Sequence, residues 1–310
     1  MSKYKVYFLA AALIVLGFAA YSVNQESGVS IGAVSVSYEN PETAIKRDLL
    51  ALKMAYPDDI VGFEKDDDTV TVLMKNGAEI IYDDGQTKSF AEKLANADIE
   101  DTLEMPYPLQ SIETLMSGEQ DPGRIRCYAL LKAVYGGSQS DVESRLKSVA
   151  TGAGSCPFNG CNGAADALAA AFSDAETLMK DDPGVFSYVY PMSGTFNYRV
   201  IAGTGQLSPH AFAIAVDLCR DSRDYWLWAS REQGQSRLNE YPPALVGVFE
   251  SHGFIWGGKW AHFDFLHFEY RPELIIKARY SAEPVSSWHD GFPDSEDVQG
   301  YVKMIEEAWK

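Results

Sequence analysis

Apolar positions along the chain change period several times, and each change marks an element. From Ala44 to Met54, Ile45, Leu49 and Leu52 recur at helical spacing, and the run ends near Tyr56-Pro57. Val70–Met74 and Ala78–Tyr82 predict strands around Asn76-Gly77, a strong hairpin signal. Ser89–Ala95 reads as a short helix. Together these predict a small helix-plus-hairpin module over residues 41–110, with Asp66-Asp67-Asp68 as a solvated turn; the run lacks the spacing and closing Glu of a calcium loop. Asp121-Pro122-Gly123 predicts the start of a helix through Ile125, Tyr128, Leu131 and Tyr135, ended by Gly136-Gly137. Ser138–Ala150 predicts a second helix with Val142, Leu146 and Val149 inward. Ala164–Met179 predicts a long alanine-rich third, stopped at Asp182-Pro183-Gly184. Period two returns over 186–202, where Phe186, Tyr188, Tyr190 and then Phe196, Tyr198, Val200 predict two strands. Further helices are predicted over Asp224–Arg231 and Pro243–His252, and a last one, capped by Ser295, carries Val298, Tyr301, Val302, Ile305 and Trp309 on one stripe. The class is α+β: a small antiparallel sheet flanked by helices, with residues 111–280 as the main domain and 281–310 as a loop and docking helix.

Two stretches carry chemistry. In Leu207–Leu218, Ala211, Ala213, Ala215 and Asp217 fall on one face of a strand, and Phe212, Ile214, Val216 and Leu218 on the other. The bulky face belongs in a core, and Asp217 is the only charge on the alanine face. His210 is out of phase with Asp217, so the chain must turn or bulge after His210 if both are to reach one ion. The second stretch, Trp260–Tyr270, holds His262, Asp264, His267 and Glu269. Asp264 and His267 are three apart, which suits a turn; His267 and Glu269 share a strand face. Two imidazoles and one carboxylate leave a tetrahedral zinc one open position, the pattern of a catalytic site. His210, Asp217 and His267 are the candidate ligands, with His262 as competitor for the last place. Ser208 lacks the glycines of a nucleophile elbow and reads as a residue that orients a ligand. Glu269 reads as a support for a ligand histidine.

The two stretches together resemble the VanY-like family of zinc D-alanyl-D-alanine carboxypeptidases. That family's pattern is Ser-x-His, a small residue, x-Ala-x-Asp, and well downstream an acid three residues before His-Phe-Glu. Ser208-Pro209-His210, Ala215-Val216-Asp217 and Asp264-Phe265-Leu266-His267-Phe268-Glu269 match it, as do Gly253–Gly258 and Trp260 in the lead-in. The resemblance covers residues 185–276. One position departs: the family has Gly three residues after the first His, and this chain has Ala213, which tolerates φ > 0 poorly. The resemblance implies zinc as cofactor and His267, not His262, as its ligand. It implies Asp264 as the base and Arg199 at the place of a basic residue that binds substrate or the developing oxyanion. It further implies a zinc peptidase of peptidoglycan stem peptides, cutting at D-Ala-D-Ala or at an internal L,D bond. Two rivals stand beside it: a zinc-binding cell-wall module without catalysis, and a cysteine hydrolase pairing Cys127 or Cys219 with His210.

Charge and compartment refine this picture. A net charge of -18 argues against nucleic acid as a partner. Lys3 and Lys5 followed by the apolar run Val6–Ala20 predict a signal peptide over residues 1–22, and residues 23–40 a polar linker. The rival is an uncleaved anchor tethering the protein to an inner membrane, but the run is short of the roughly 20 residues of a spanning helix. The expected location is the periplasm or cell envelope. Four cysteines in an exported chain predict disulfides, Cys156 with Cys161 first and Cys127 with Cys219 as the remainder. Arg124 and Arg126 fall in the first turn of a predicted helix, where cations oppose the dipole, so an acidic partner is expected for them.

Overall fold

A computed structural model describes residues 40–201, 204–284 and 286–310. The signal and nearly all of the linker expected over 1–40 lie outside the described residues. Helix α1 (Pro41–Ala55) starts where the Asn40 side chain accepts from the Glu42 N–H, with proline in its first turn. Strands β1 (Ile60–Asp66), β2 (Thr69–Met74) and β3 (Glu79–Ile81) follow as an antiparallel sheet in chain order. A register shift between Ile60 and Gly62 breaks the alternation of β1, which hides that strand from a period-two reading. The acidic run 66–68 reaches into the exposed β1–β2 turn. Helix α2 (Phe90–Asn96) has a Ser89/Glu92 capping box, and α3 (Ile99–Leu103) follows it.

Helix α4 (Tyr128–Tyr135) begins later than its sequence signal. Gly123 sits at φ +88, and a Cβ there would meet Ile255 Cδ1 at 2.4 Å, so the chain turns through a close contact at this point instead of starting a helix. The helix expected over 138–150 is corrected too. It stops after α5 (Gln139–Ser144), and β4 (Leu146–Ala150) pairs antiparallel with β5 (Ser155–Asn159). The glycines at 152 and 154, both at positive φ, turn that hairpin. Neither expected pair, Cys156 with Cys161 or Cys127 with Cys219, is joined; Cys156 lies in β5 opposite Val149, and Cys161 opens the turn that follows the strand. All four cysteines are free thiols.

Helix α6 (Ala164–Asp181) buries Ala165, Leu168, Phe172 and Ala175. The first of the two strands expected over 186–202 is instead α7 (Phe186–Val189), and the second is irregular backbone with isolated bridges. Phe186 and Tyr190 are four apart and their rings meet at 5.2 Å, so the same aromatics serve a helical period. After β6 (Ala215–Asp217), the helix expected over 224–231 is a set of turns. Buried Asp224 accepts from the Asp221 N–H and pairs with Arg237 at 2.7 Å. The Ser230/Gln233 capping box then starts α8 (Arg231–Glu240). Helix α9 (Pro243–Ser251) leads to β7 (Phe254–Trp256), then β8 (His267–Tyr270), α10 (Pro272–Arg279) and α11 (Glu296–Ala308).

The architecture is α+β. Its central sheet is antiparallel in the order β6-β8-β7. Phe212, Ile214, Val216 and Leu218 are fully buried or nearly so, as the bulky face requires, and Phe268 of β8 meets Phe249 of α9 at 4.4 Å. The N-terminal segment is not a loose appendage. Helix α1 packs on α10 and α11. Asp48 pairs with Lys277 at 2.7 Å, Tyr56 donates to Glu273 at 2.7 Å, and Arg47 donates to the carbonyls of Trp288, Asp290 and Ala282.

Candidate metal centre

The phase problem between His210 and Asp217 is solved by one tight turn. Residues Pro209–Phe212 form a 3-10 turn whose cap is Ser208, its hydroxyl accepting from the His210 N–H at 3.3 Å. Ala213 then takes the left-handed conformation, φ 54 and ψ 41, and the chain enters β6. The position where the resembled family has glycine therefore does need positive φ, and alanine meets that need at a cost of about 1–2 kcal/mol. The bend is kept.

Three donor atoms converge beyond this turn. His210 Nε2 lies 3.2 Å from His267 Nδ1 and 3.2 Å from Asp217 Oδ1, and His267 Nδ1 lies 2.8 Å from the same oxygen. Ligands at 2.0–2.1 Å from a tetrahedral zinc stand about 3.3 Å apart. The donor set fits such an ion in spacing and in chemistry. The far side of each ring is also committed. His210 Nδ1 is 2.5 Å from the Thr195 carbonyl, and His267 Nε2 is 3.0 Å from Glu269 Oε1. These contacts fix both ring orientations, and on His210 the Thr195 carbonyl selects the tautomer that leaves Nε2 free for the ion. Glu269, fully buried, is gripped in turn by both arms of Arg126, Nε donating at 3.0 Å and Nη2 closer still.

The charges are strongly displaced from their ordinary values. Burial works against the Asp217 carboxylate, yet hydrogen bonds from His210 and His267 hold its pKa well below the usual range. Burial also works against the His267 cation, but Asp217 and Glu269 push its pKa up to about 10. Asp264 is pushed up to about 8, by burial first and then by Asp217, Asp224 and Glu269, with His267 opposing. Among the described residues its buried Oδ1 has no hydrogen-bond partner. The Asp264–His267 turn is held by the His267 N–H donating to the Asp264 carbonyl at 3.2 Å. Gly257 makes room for that turn, since a Cβ there would meet the Asp264 carbonyl at 2.6 Å.

The other sequence candidates lie further out. His262 is drawn away from the donors: its Nδ1 is 2.6 Å from Asp121 Oδ2, and its ring packs on Trp226. Arg199 is exposed and forms no ion pair among the described residues; with Arg124 and Asp264 its charge is felt at Tyr225. Two contributors had weak signals or none. Arg126 showed only as a cation misplaced in a helix first turn. The Thr195 carbonyl is backbone and leaves no mark on the residue pattern. Thr195 also borders an open cleft of about 700 Å³ with Cys156, Pro157, Met192 and Phe196.

Residues 202–270 match the family model described as D-alanyl-D-alanine carboxypeptidase. The match is to a peptidase family and spans His210, Asp217, Asp264, His267 and Glu269, but neither Arg126 nor Thr195. Searches of curated proteins and of solved structures found no match.

Two outcomes follow from the site. Ala213→Gly relieves about 1–2 kcal/mol of left-handed strain and loses about 1.5 kcal/mol in methyl burial and chain entropy, so urea denaturation should find it within about 1 kcal/mol of the parent. Ala211→Gly, equally buried but in the right-handed turn, has no strain to relieve and should cost about 1.5 kcal/mol. Equal losses at both positions would refute the left-handed assignment. Zinc uptake should release protons. At pH 8 the metal-free His267, with its pKa at about 10, carries a proton that a ligand imidazole cannot keep. Calorimetry in buffers of different ionisation enthalpy should find about one proton or more released per zinc. Affinity should climb as pH rises from 7 towards 10. Zinc binding with no proton release would contradict the arrangement.

Proposed function

We propose that the protein is a zinc-dependent peptidase that hydrolyses peptidoglycan stem peptides, at D-Ala-D-Ala or at an internal L,D bond. The convergence of His210, Asp217 and His267 within 3.2 Å carries this reading, and the family match over the same residues supports it. These three side chains would hold the zinc, which when bound supplies Lewis acidity towards a carbonyl and lowers the pKa of water.

The remaining work falls to the chain's own groups. Asp264 takes the proton of the attacking water and returns it to the leaving amine. Its unpartnered, buried oxygen and raised pKa make it a stronger base than a solvated carboxylate. Glu269, backed by Arg126, holds the His267 ring still. Arg199, exposed and without an ion pair among the described residues, is available to a substrate carboxylate or to the oxyanion. The binding-module alternative leaves Asp264 without a purpose. A buried carboxyl oxygen with no partner costs free energy, and a module that only holds zinc gains nothing from it. The cysteine-hydrolase alternative finds no support. Burial raises the pKa of both Cys127 and Cys219, and His210 is committed to Thr195, Asp217 and His267. Because the substrate lies in the cell envelope, we place the protein there, as the basic and apolar pattern of residues 1–22 suggests.

The test is mass spectrometry of muropeptides digested by the purified protein, with and without chelator. Cleavage should vanish with chelator and return with zinc. Asp264→Ala should keep its zinc and lose about 10²–10⁴-fold in rate. Undiminished cleavage by that variant would remove Asp264 from the role of base, and cleavage indifferent to chelator would remove the metal.

A further inference from the structure

Between β6 and α8 the chain reads Tyr225-Trp226-Leu227-Trp228. Only Trp226 of these leans on the core; Leu227 and Trp228 are 63% and 55% exposed. The segment is nonetheless well tied. The Trp228 N–H donates to the Tyr225 carbonyl at 2.8 Å, the Trp226 N–H to the Phe263 carbonyl at 3.0 Å, and Tyr225 bridges backbone to backbone with Asp264. The rings form a row. Trp228 meets Tyr225 at 4.9 Å, Tyr225 meets Trp226 at 6.2 Å, Trp226 meets His262 at 4.6 Å, and His262 lies nearly parallel to Phe90 at 6.3 Å. The Arg220 guanidinium stands 4.2 Å over Trp228 and steadies it. The row therefore runs from an exposed indole, past the turn that carries Asp264, to α2 of the N-terminal module.

Bulky rings held exposed beside a catalytic turn mark a binding surface. The chemistry narrows the occupant. Polar groups lie beside the ring faces at the exposed end of the row, the Arg220 guanidinium and the Trp228 indole N–H, while the Tyr225 hydroxyl is engaged by Trp226 and the His262 imidazole by Asp121. The chain's charge of -18 opposes an anionic lipid surface. A pyranose matches both features, with a C–H face to lay on a ring and a rim of hydroxyl and acetamido groups to hydrogen-bond.

We propose that this row binds N-acetylhexosamine units of the glycan strand, so that the enzyme acts on stem peptides still attached to glycan in preference to free peptides. The proposal rests on the peptidase reading, because the row gains its meaning from lying beside Asp264. Two measurements test it. Tryptophan fluorescence of the zinc-loaded protein, titrated with N,N′,N″-triacetylchitotriose, should change and saturate; Trp228→Ala should lose the response and Trp228→Phe should keep part of the affinity, read by calorimetry. The kcat/KM for glycan-linked over free stem peptide should exceed about tenfold in the parent, worth about 1.4 kcal/mol, and fall towards one in Trp228→Ala. A ratio near one in the parent, or one untouched by Trp228→Ala, overturns the proposal. So does indifference to the sugar combined with Trp228-dependent binding to phosphatidylglycerol vesicles, which assigns the row to a membrane. Saturable sugar binding without cleavage of either substrate keeps the sugar site and sinks the peptidase reading alone.

Discussion

The site depends on one arrangement: His267 is held between two carboxylates. Glu269 fixes one nitrogen from behind, so the other can only face Asp217 and His210. Two anions buried beside one imidazole would ordinarily be expensive. Arg126 offsets this by clamping Glu269, and Arg271 adds a second cation at 3.7 Å. In the metal-free state His267 itself carries the remaining positive charge. In the reading proposed above, a divalent cation would replace that proton with a stronger charge at the same point.

The scaffold around this cluster is assembled from distant segments. The turn that carries His210 and the turn that carries Asp264 meet across three short strands. The clamp on Glu269 comes from the segment before α4. The C-terminal helix α11 and the N-terminal module pack on one another through α1 and β1. The module thus braces α10 and α11, while Phe90 of α2 reaches His262. One segment serves packing and the rim of the site together.

How much of this the residue pattern could reveal depended on the range of each interaction. The alternation in Leu207–Leu218 demanded a turn after His210, and the spacing of Asp264 and His267 demanded another; both are present. Helices α6, α9 and α11 and the Asn76-Gly77 hairpin were legible because local periodicity and caps decide them. The strand β4 was not. Val142, Leu146 and Val149 fit a helical spacing, and the pairing with β5 that overrides it is a tertiary effect. Phe186, Tyr188 and Tyr190 fit two periods at once, and the helix prevailed. Arg126 and Glu269 are 143 residues apart, so no local pattern joins them. Cysteine number suggested bridges, but all four cysteines are free.

The most direct test is the coordination shell itself. X-ray absorption at the zinc edge of the loaded protein should show only nitrogen and oxygen neighbours at about 2.0–2.2 Å, with one zinc per chain and imidazole scattering from two histidines. His267→Ala should lose that signal. A sulfur shell at about 2.3 Å, or a stoichiometric zinc site unaffected by His267→Ala, would contradict the account.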